Sequence, residues 1–298
     1  MAETIQQQQT VPDSMANDRL DQAAARLFPD FSRSRLQAWI KSGELLVDGE
    51  QRKPRDKLAG GEELAINATL EADTRWQPED IALDIVYEDE HILVLNKPAG
   101  LVVHPAAGHA AGTLLNALLN HCEALSQLPR GGIVHRLDRD TTGLMVVAKT
   151  LQAHSHLVEQ LQAREVHREY EAVVYGSMTG GGVVDAPIGR HPQQRKKMAV
   201  VEFGGKEAIT HYRLIKRFRY HSHVRCLLET GRTHQIRVHM AHIGHPVLGD
   251  PLYGRNKPVS DLGTPERQLL HACRLAIEHP GSGEQLVLAA PLPGDFRE

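Results

Sequence analysis

Apolar residues recur without period from residue 1 to 17, where Gln6-Gln7-Gln8-Gln9 dominates, and this stretch is expected to be a disordered tail. At Asp18 the pattern turns helical. Leu20, Ala24 and Leu27 fall on one face, Asp18 can cap the first turn, and Pro29 stops the run. A second helix is expected from Ser32, with Leu36, Trp39 and Ile40 on its apolar face, Arg33, Arg35 and Lys41 on the other, and Gly43 at its end. Leu45-Leu46-Val47, closed by the Asp48-Gly49 turn, and Leu64-Ala65-Ile66 are apolar runs of strand length. Residues 68–80 are acidic, weakly patterned and contain Pro78, which marks a linker between a small unit at 18–67 and a larger one at 81–298.

Beyond Ile81 strand-length runs dominate. Ile85-Val86-Tyr87 and Ile92-Leu93-Val94-Leu95 flank Glu88-Asp89-Glu90 as a hairpin, and Arg168 to Tyr175 and Val224 to Leu228 read as further strands. Leu144-Met145-Val146-Val147-Ala148 is apolar throughout and reads as a buried strand. Helical spacing returns in Thr113 to His121, in Leu151 to Gln162, and from Thr233, a candidate cap, to Ile243, where Gly244 and Pro246 close the helix. Strands interspersed with helices at irregular spacing predict an α+β unit around a mainly antiparallel sheet.

With 298 residues, 41% hydrophobic and 24% charged, the chain has the size and composition of a soluble two-domain protein. Aromatic residues are only 4%, which argues against a broad base-stacking platform. Cys122, Cys226 and Cys273 are odd in number and far apart, which argues against a disulfide framework or a Cys-rich zinc site. Neither an apolar leader nor a run of about 18 apolar residues occurs, so the expected location is the cytoplasm, without membrane contact.

A net charge of −3 does not announce a polyanion partner, but its distribution is uneven. Residues 31–57 carry 7 Lys/Arg against 4 acids, residues 62–90 carry 10 acids against Arg75 alone, and residues 190–219 carry 9 Lys/Arg against 2 acids. Arg195-Lys196-Lys197, in a polar loop, is a candidate phosphate-contact patch. His239, His242 and His245 recur in three-residue steps that drift around a helix and leave it at Gly244, so no metal is expected there. Gly180-Gly181-Gly182 and Gly204-Gly205 lack a following Lys-Ser/Thr and read as hairpin ends, not phosphate loops.

The densest polar cluster is His135-Arg136-Leu137-Asp138-Arg139-Asp140-Thr141-Thr142-Gly143, at the mouth of the buried strand. Two Asp and two Arg placed there are costly to desolvate unless paired or used. From spacing alone, a structural turn with Asx-type hydrogen bonds explains them more readily than a reactive site does, and an Arg136–Asp140 ion pair is as good a reading of Arg136 as any other.

The same segment resembles the H-R-L-D-x-x-T-[ST]-G motif of the RluA family of pseudouridine synthases, with Thr142 where Ser is commoner. Other segments match that family in chain order: Lys97-Pro98-Ala99-Gly100 with Val103-His104-Pro105, then Arg168 to Val173 around Tyr170, then Thr230 to His239, then Gly249-Asp250-Pro251-Leu252-Tyr253-Gly254 and Leu270-His271-Ala272. Ser32 to Gly49 resembles the signature of the S4 RNA-binding domain.

The resemblance implies a pseudouridine synthase fold with a mainly antiparallel sheet, preceded by a small S4-like α/β RNA-binding domain. It implies that Asp138, not Asp140, is the catalytic aspartate, that Tyr170 is the active-site tyrosine, and that Arg237 contacts the aspartate. Arg136 is implied to fill the space left by the flipped base, and Lys97, His135, Thr142 and His234 to support the motifs. Arg33, Arg35 and Lys41 in the S4 signature, with Arg195, Lys196 and Lys197, are the expected RNA contacts. The implied reaction isomerises specific uridines of large-subunit (23S) ribosomal RNA, met in ribosome-assembly particles, by a monomer that needs no cofactor and no metal. A transfer-RNA-directed synthase and a non-catalytic RNA-binding assembly factor are the alternatives.

Overall fold

The computed structural model describes residues 3–29, 31, 33–70, 76–105, 111–194, 197–254 and 265–296. In the N-terminal part, α1 (Leu20–Leu27) and α2 (Arg33–Ser42) pack on a sheet of order β1-β3-β2, formed by β1 (Glu3–Thr10), β2 (Leu45–Val47) and β3 (Glu63–Leu70). Leu20, Ala24, Phe28, Leu36, Ile40, Leu45, Val47, Leu64 and Ile66 close its core, as the helical spacing of their apolar residues requires. Ser32, the expected cap of α2, lies outside the described residues. Asp18 does not cap α1, whose cap is Arg19; its carboxylate accepts from Arg26 at 2.8 Å instead.

The expectation of a disordered tail is overturned. Glu3–Thr10 pairs antiparallel with β3 along its whole length, and Ile5, Val11 and Met15 are buried in the helix-bearing core. Backbone pairing to a free sheet edge needs no apolar alternation, so a polar Gln run with one buried Ile suffices. β3 also continues to Leu70, past the start of the expected linker.

Asp21 is fully buried in α1 and accepts from Arg19 at 3.0 Å twice, from Arg33 at 2.7 and 3.1 Å, and from Gln37 at 2.5 Å. Burial pushes its carboxyl upward, but hydrogen bonds from Arg33, Arg19 and Gln37 prevail and hold it at about 2. A depressed folded-state value stabilises the fold above the unfolded value of ~4 and is lost as pH falls toward the folded one. Trp39 fluorescence, read in a Trp76→Phe background, is therefore expected to report acid destabilisation of this unit between about pH 4 and pH 2. Asp21→Asn should be less stable at neutral pH and flatter across that window; an identical acid profile would show that the clamp does not matter.

The larger part is built on nine strands among the described residues, eight of them in the order β4-β5-β6-β13-β7-β12-β11-β8. These are β4 (Ile85–Glu88), β5 (Ile92–Lys97), β6 (Thr142–Ala148), β7 (His167–Tyr175), β8 (Gly182–Asp185), β11 (Ile209–Arg217), β12 (His221–Leu228) and β13 (Leu270–Glu278), and β14 (Gln285–Ala289) adds to β13. β9 (Ile188–Arg190) and β10 (Met198–Val200) form a separate ribbon. Neighbouring strands run antiparallel except β6 and β13, which are parallel through Thr142–His271 and Gly143–Ala272.

Both faces of the sheet are covered, which explains why the strand read at 144–148 is apolar at every position. Leu93, Leu95, Met145 and Val147 face α3 (Leu114–His121) and α5 (Gln235–His242), whereas Ile92, Val94, Leu144, Val146 and Ala148 face α4 (Leu151–Ala163). Thr113 caps α3 in a reciprocal box with Asn116, and Thr150 caps α4 by accepting from Ala153 at 3.1 Å. No helix among the described residues is long and apolar enough to cross a membrane. The three cysteines are free.

Candidate active site

The polar cluster at 135–143 is the turn that enters β6. Thr141 N–H donates to the Asp138 carbonyl at 3.1 Å, which closes the turn. Gly143 ends it with φ +114°, and a Cβ there would lie 2.2 Å from the Ala272 carbonyl oxygen of β13. Only glycine allows this approach of two parallel backbones. Thr142 Oγ1 lies 2.8 Å from His271 Nδ1 and fixes the same crossing from the side-chain direction. His135 is a supporting residue: its Nε2 accepts from Val146 N–H at 3.1 Å, and burial, aided by Arg168, lowers its pKa to about 3.

Lys97, at the end of β5, is fully buried. Its ammonium donates to the carbonyls of Pro98 at 2.6 Å, Leu101 at 3.0 Å and Arg139 at 2.8 Å. It thus ties the 98–101 turn to the 135–143 turn. Burial lowers its pKa to about 7, against the opposing fields of Asp140 and Asp138.

Asp138 projects toward α5. Arg237 Nη1 donates to its Oδ2 at 2.7 Å, and the rest of the guanidinium is held by Asp250, Nε at 2.7 Å and Nη2 at 2.9 Å. Asp250 is fully buried and also accepts the N–H groups of Leu252 and Tyr253. Burial disfavours the charge on Arg237, but Asp250 and Asp138 more than offset it and raise its pKa. The Asp250 carboxyl is pushed up by burial and brought lower still by Arg237. Arg237 is therefore a fixed cation with one nitrogen presented to Asp138, its planar fork locked from behind.

His234 completes the enclosure. It caps α5, where Thr233 was expected, and does so in the left-handed region at φ 58°, a conformation that costs a non-glycine residue energy. Its Nε2 stands 3.7 Å from Asp138 Oδ1 and its Nδ1 2.8 Å from Tyr253 Oη, which in turn accepts from Met198 N–H at 2.8 Å. Burial lowers the His234 pKa, opposed by Asp138, so the ring is neutral at neutral pH. Gln235 roots the helix start by bonding Thr230, Arg232, Ile209 and Thr210.

Tyr170 lies in β7, buried in the core on the α5 side. Burial raises its pKa, Arg168 opposes that shift and Asp138 adds to it, so the phenol keeps its proton at neutral pH. Arg136 is exposed and does not pair with Asp140, which is taken by Arg139 at 3.1 Å. Arg136 is left available beside the aspartate.

Asp138, Lys97 and the His234–Arg237 pair of α5 are thus assembled from three separate segments. The residues expected to touch RNA are dispersed. Arg33 is only 45% exposed and is consumed by Asp21, so its first role is structural. Lys41 and Lys197 are at or near the surface, and Arg195 and Lys196 lie outside the described residues. His239 is occupied by Thr210 and the Ala186 carbonyl, and His245 by the Tyr175 carbonyl, so these rings point into the fold. Asp250 and Tyr253 are the residues to which sequence reading gave no role. Their only signal was the matching Gly249–Gly254 segment.

Comparison with known proteins bears on this arrangement. Residues 91–242 match the family described as RNA pseudouridylate synthase, and residues 18–64 match the S4 domain. The chain is 58% identical to the ribosomal large subunit pseudouridine synthase D of Pseudomonas aeruginosa, over 99% of this chain and 95% of that protein. It is 54% identical to the protein of the same description from Escherichia coli (strain K12), over 100% and 94%. Two solved structures align with a TM-score of 0.57. Human RNA pseudouridylate synthase domain containing 1 is 27% identical, over 72% of this chain and 84% of that one. Human RNA pseudouridylate synthase domain containing 4 is 28% identical, over 72% and 90%.

Proposed function

The chain belongs to the RNA pseudouridylate synthase family and carries an S4 domain, and from that premise we propose that it isomerises uridines of large-subunit ribosomal RNA with Asp138 as its catalytic carboxylate. The observation that carries the reading is Asp138 held at 2.7 Å by a buried arginine whose other nitrogens are already committed. The reaction breaks the N-glycosidic bond, turns the uracil, joins C5 to the ribose C1′, releases the C5 proton and places one on N1. It is redox-neutral. The carboxylate attacks, or stabilises positive charge at, the carbon that loses the base, as in retaining glycosidases. Arg237 fixes one carboxylate oxygen, Oδ2, and Oδ1 stands 3.7 Å from His234 Nε2.

Tyr170, protonated and buried, supplies a stacking face for the extruded uracil, and Arg136 fills the space it leaves in the RNA. The S4 domain holds the RNA through Arg35, Lys41 and backbone contacts, and the Arg195–Lys197 loop touches phosphates. The protein works as a cytoplasmic monomer on ribosome-assembly particles.

The test is pseudouridine mapping of large-subunit ribosomal RNA and of transfer RNA in cells lacking this gene, complemented with wild type or Asp138→Ala. Sites lost on deletion and restored by wild type alone support the proposal. Rescue by the variant removes Asp138 from the chemistry. Loss confined to transfer RNA would replace the substrate.

A further inference from the structure

The hairpin formed by β11 and β12 carries a surface that neither the aspartate site nor the S4 domain uses. Residues 208–228 contain no Asp or Glu at all, but hold Arg213, Lys216, Arg217, Arg219 and Arg225. Arg225 is committed to Glu171. Arg213, Lys216, Arg217 and Arg219 are exposed and have no acidic partner among the described residues. An ordinary solvated face mixes both signs. This one does not, in a chain whose net charge is −3.

Its aromatic residues are held in a defined arrangement, with Tyr220 exposed and Phe218 and His221 half-buried. At the tip, Phe218 N–H donates to the His221 carbonyl at 2.9 Å and closes a tight turn over Arg219 and Tyr220. The Tyr220 carbonyl takes the Gly176 N–H at 2.8 Å, which anchors the tip to the end of β7. Phe218 stacks on His221 with ring centroids 4.4 Å apart and planes at 17°. Lys216 sits 5.0 Å over the Phe218 ring and Arg219 5.0 Å over the Tyr220 ring. Tyr220 remains 47% exposed. A register shift between Leu214 and Lys216 turns the distal cations relative to the rest of β11.

Its location is suited to a substrate contact. His221 pairs with Tyr175, at the end of β7 beyond Ala172, which pairs with Leu270. The next residue of β13, His271, pairs with Thr142, which directly follows the catalytic turn. The tip and the turn bearing Asp138 therefore emerge at the same end of the sheet.

We propose that the β11–β12 tip is an RNA-docking element, in which Lys216, Arg217 and Arg219 contact backbone phosphates and Tyr220 stacks on an unpaired base flanking the target uridine. Free cations beside a rigid, exposed aromatic ring are the requirements of single-strand recognition. The proposal rests on the RNA-substrate reading above, and its test separates the two.

The experiment measures binding and tritium release by the full chain on two probes, an unmodified large-subunit ribosomal RNA transcript and unmodified transfer RNA transcripts, each across a KCl series. Arg217→Ala/Arg219→Ala is expected to raise KM about tenfold, leave kcat unchanged, and reduce the slope of log affinity against log salt by roughly 1.4–1.8, about 0.7–0.9 per lost phosphate contact. Tyr220→Ala should weaken binding by about five- to a hundredfold with the salt slope intact, and Tyr220→Phe should bind like wild type. Unchanged kcat also shows that the variants are folded. Wild-type affinity and slope in the double variant, on whichever RNA wild type uses, overturn the docking element and leave the functional reading standing. Wild type that neither binds nor releases tritium from either RNA overturns both readings.

Discussion

Asp138→Ala and Asp138→Asn are each expected to lower turnover by at least about 10⁴-fold, the scale seen when a group that touches the reacting atoms is removed. Stability should hardly change. Arg237 keeps both hydrogen bonds to Asp250 when its third acceptor is lost, so no guanidinium is stranded. Affinity for RNA should be retained as well, because neither the S4 domain nor the basic loops depend on this carboxylate. The measurement is tritium release from C5-labelled uridine RNA, with binding and thermal unfolding measured on the same preparations. Turnover above about a hundredth of wild type with asparagine at 138 would remove the residue from the chemistry.

The second large effect falls on Asp250, and its signature differs. Asp250→Ala leaves Arg237 buried with a single acceptor and also strips the partner from two backbone N–H groups. Breaking a buried pair in this way costs about 3–5 kcal/mol. Denaturant titration should therefore show a clear loss of stability, accompanied by reduced turnover because the arginine no longer holds its angle to Asp138. Asp250→Asn should be milder, since its amide oxygen still accepts. Turnover lost without stability at Asp138, and both lost together at Asp250, would separate the reacting group from its scaffold. Full stability in Asp250→Ala would contradict the buried-clamp account.

The sequence revealed what depends on local pattern and dense motifs. Helical spacing located α1 through α5, the apolar run 144–148 located β6, and nine consecutive residues singled out Asp138. Tertiary burial stayed hidden. Gln6 to Gln9 pair as a strand through backbone groups alone, so no side-chain rhythm betrays them. Arg33 looks like any surface cation of a helix until Asp21, twelve residues earlier, is seen to be fully buried against it. The role of Asp250 follows from where α5 passes, which spacing does not encode. His234 takes the cap position from Thr233 because the backbone turns left-handed there, a conformation that hydrophobic patterning does not report.

The placement of β13 has a consequence for when the protein becomes competent during its own synthesis. β13 lies between β6 and β7 near the middle of the sheet, yet it is made more than a hundred residues after β6. Until it emerges from the translating ribosome, β6 lacks the neighbour that Gly143 is shaped to meet, and the turn carrying Asp138 has no wall. Local helices and the N-terminal unit can form early, but such long-range closure is slow and comes late. A nascent chain that already exposes every motif through Arg237 should thus be inert, and activity should switch on in one step when the central strand slots home.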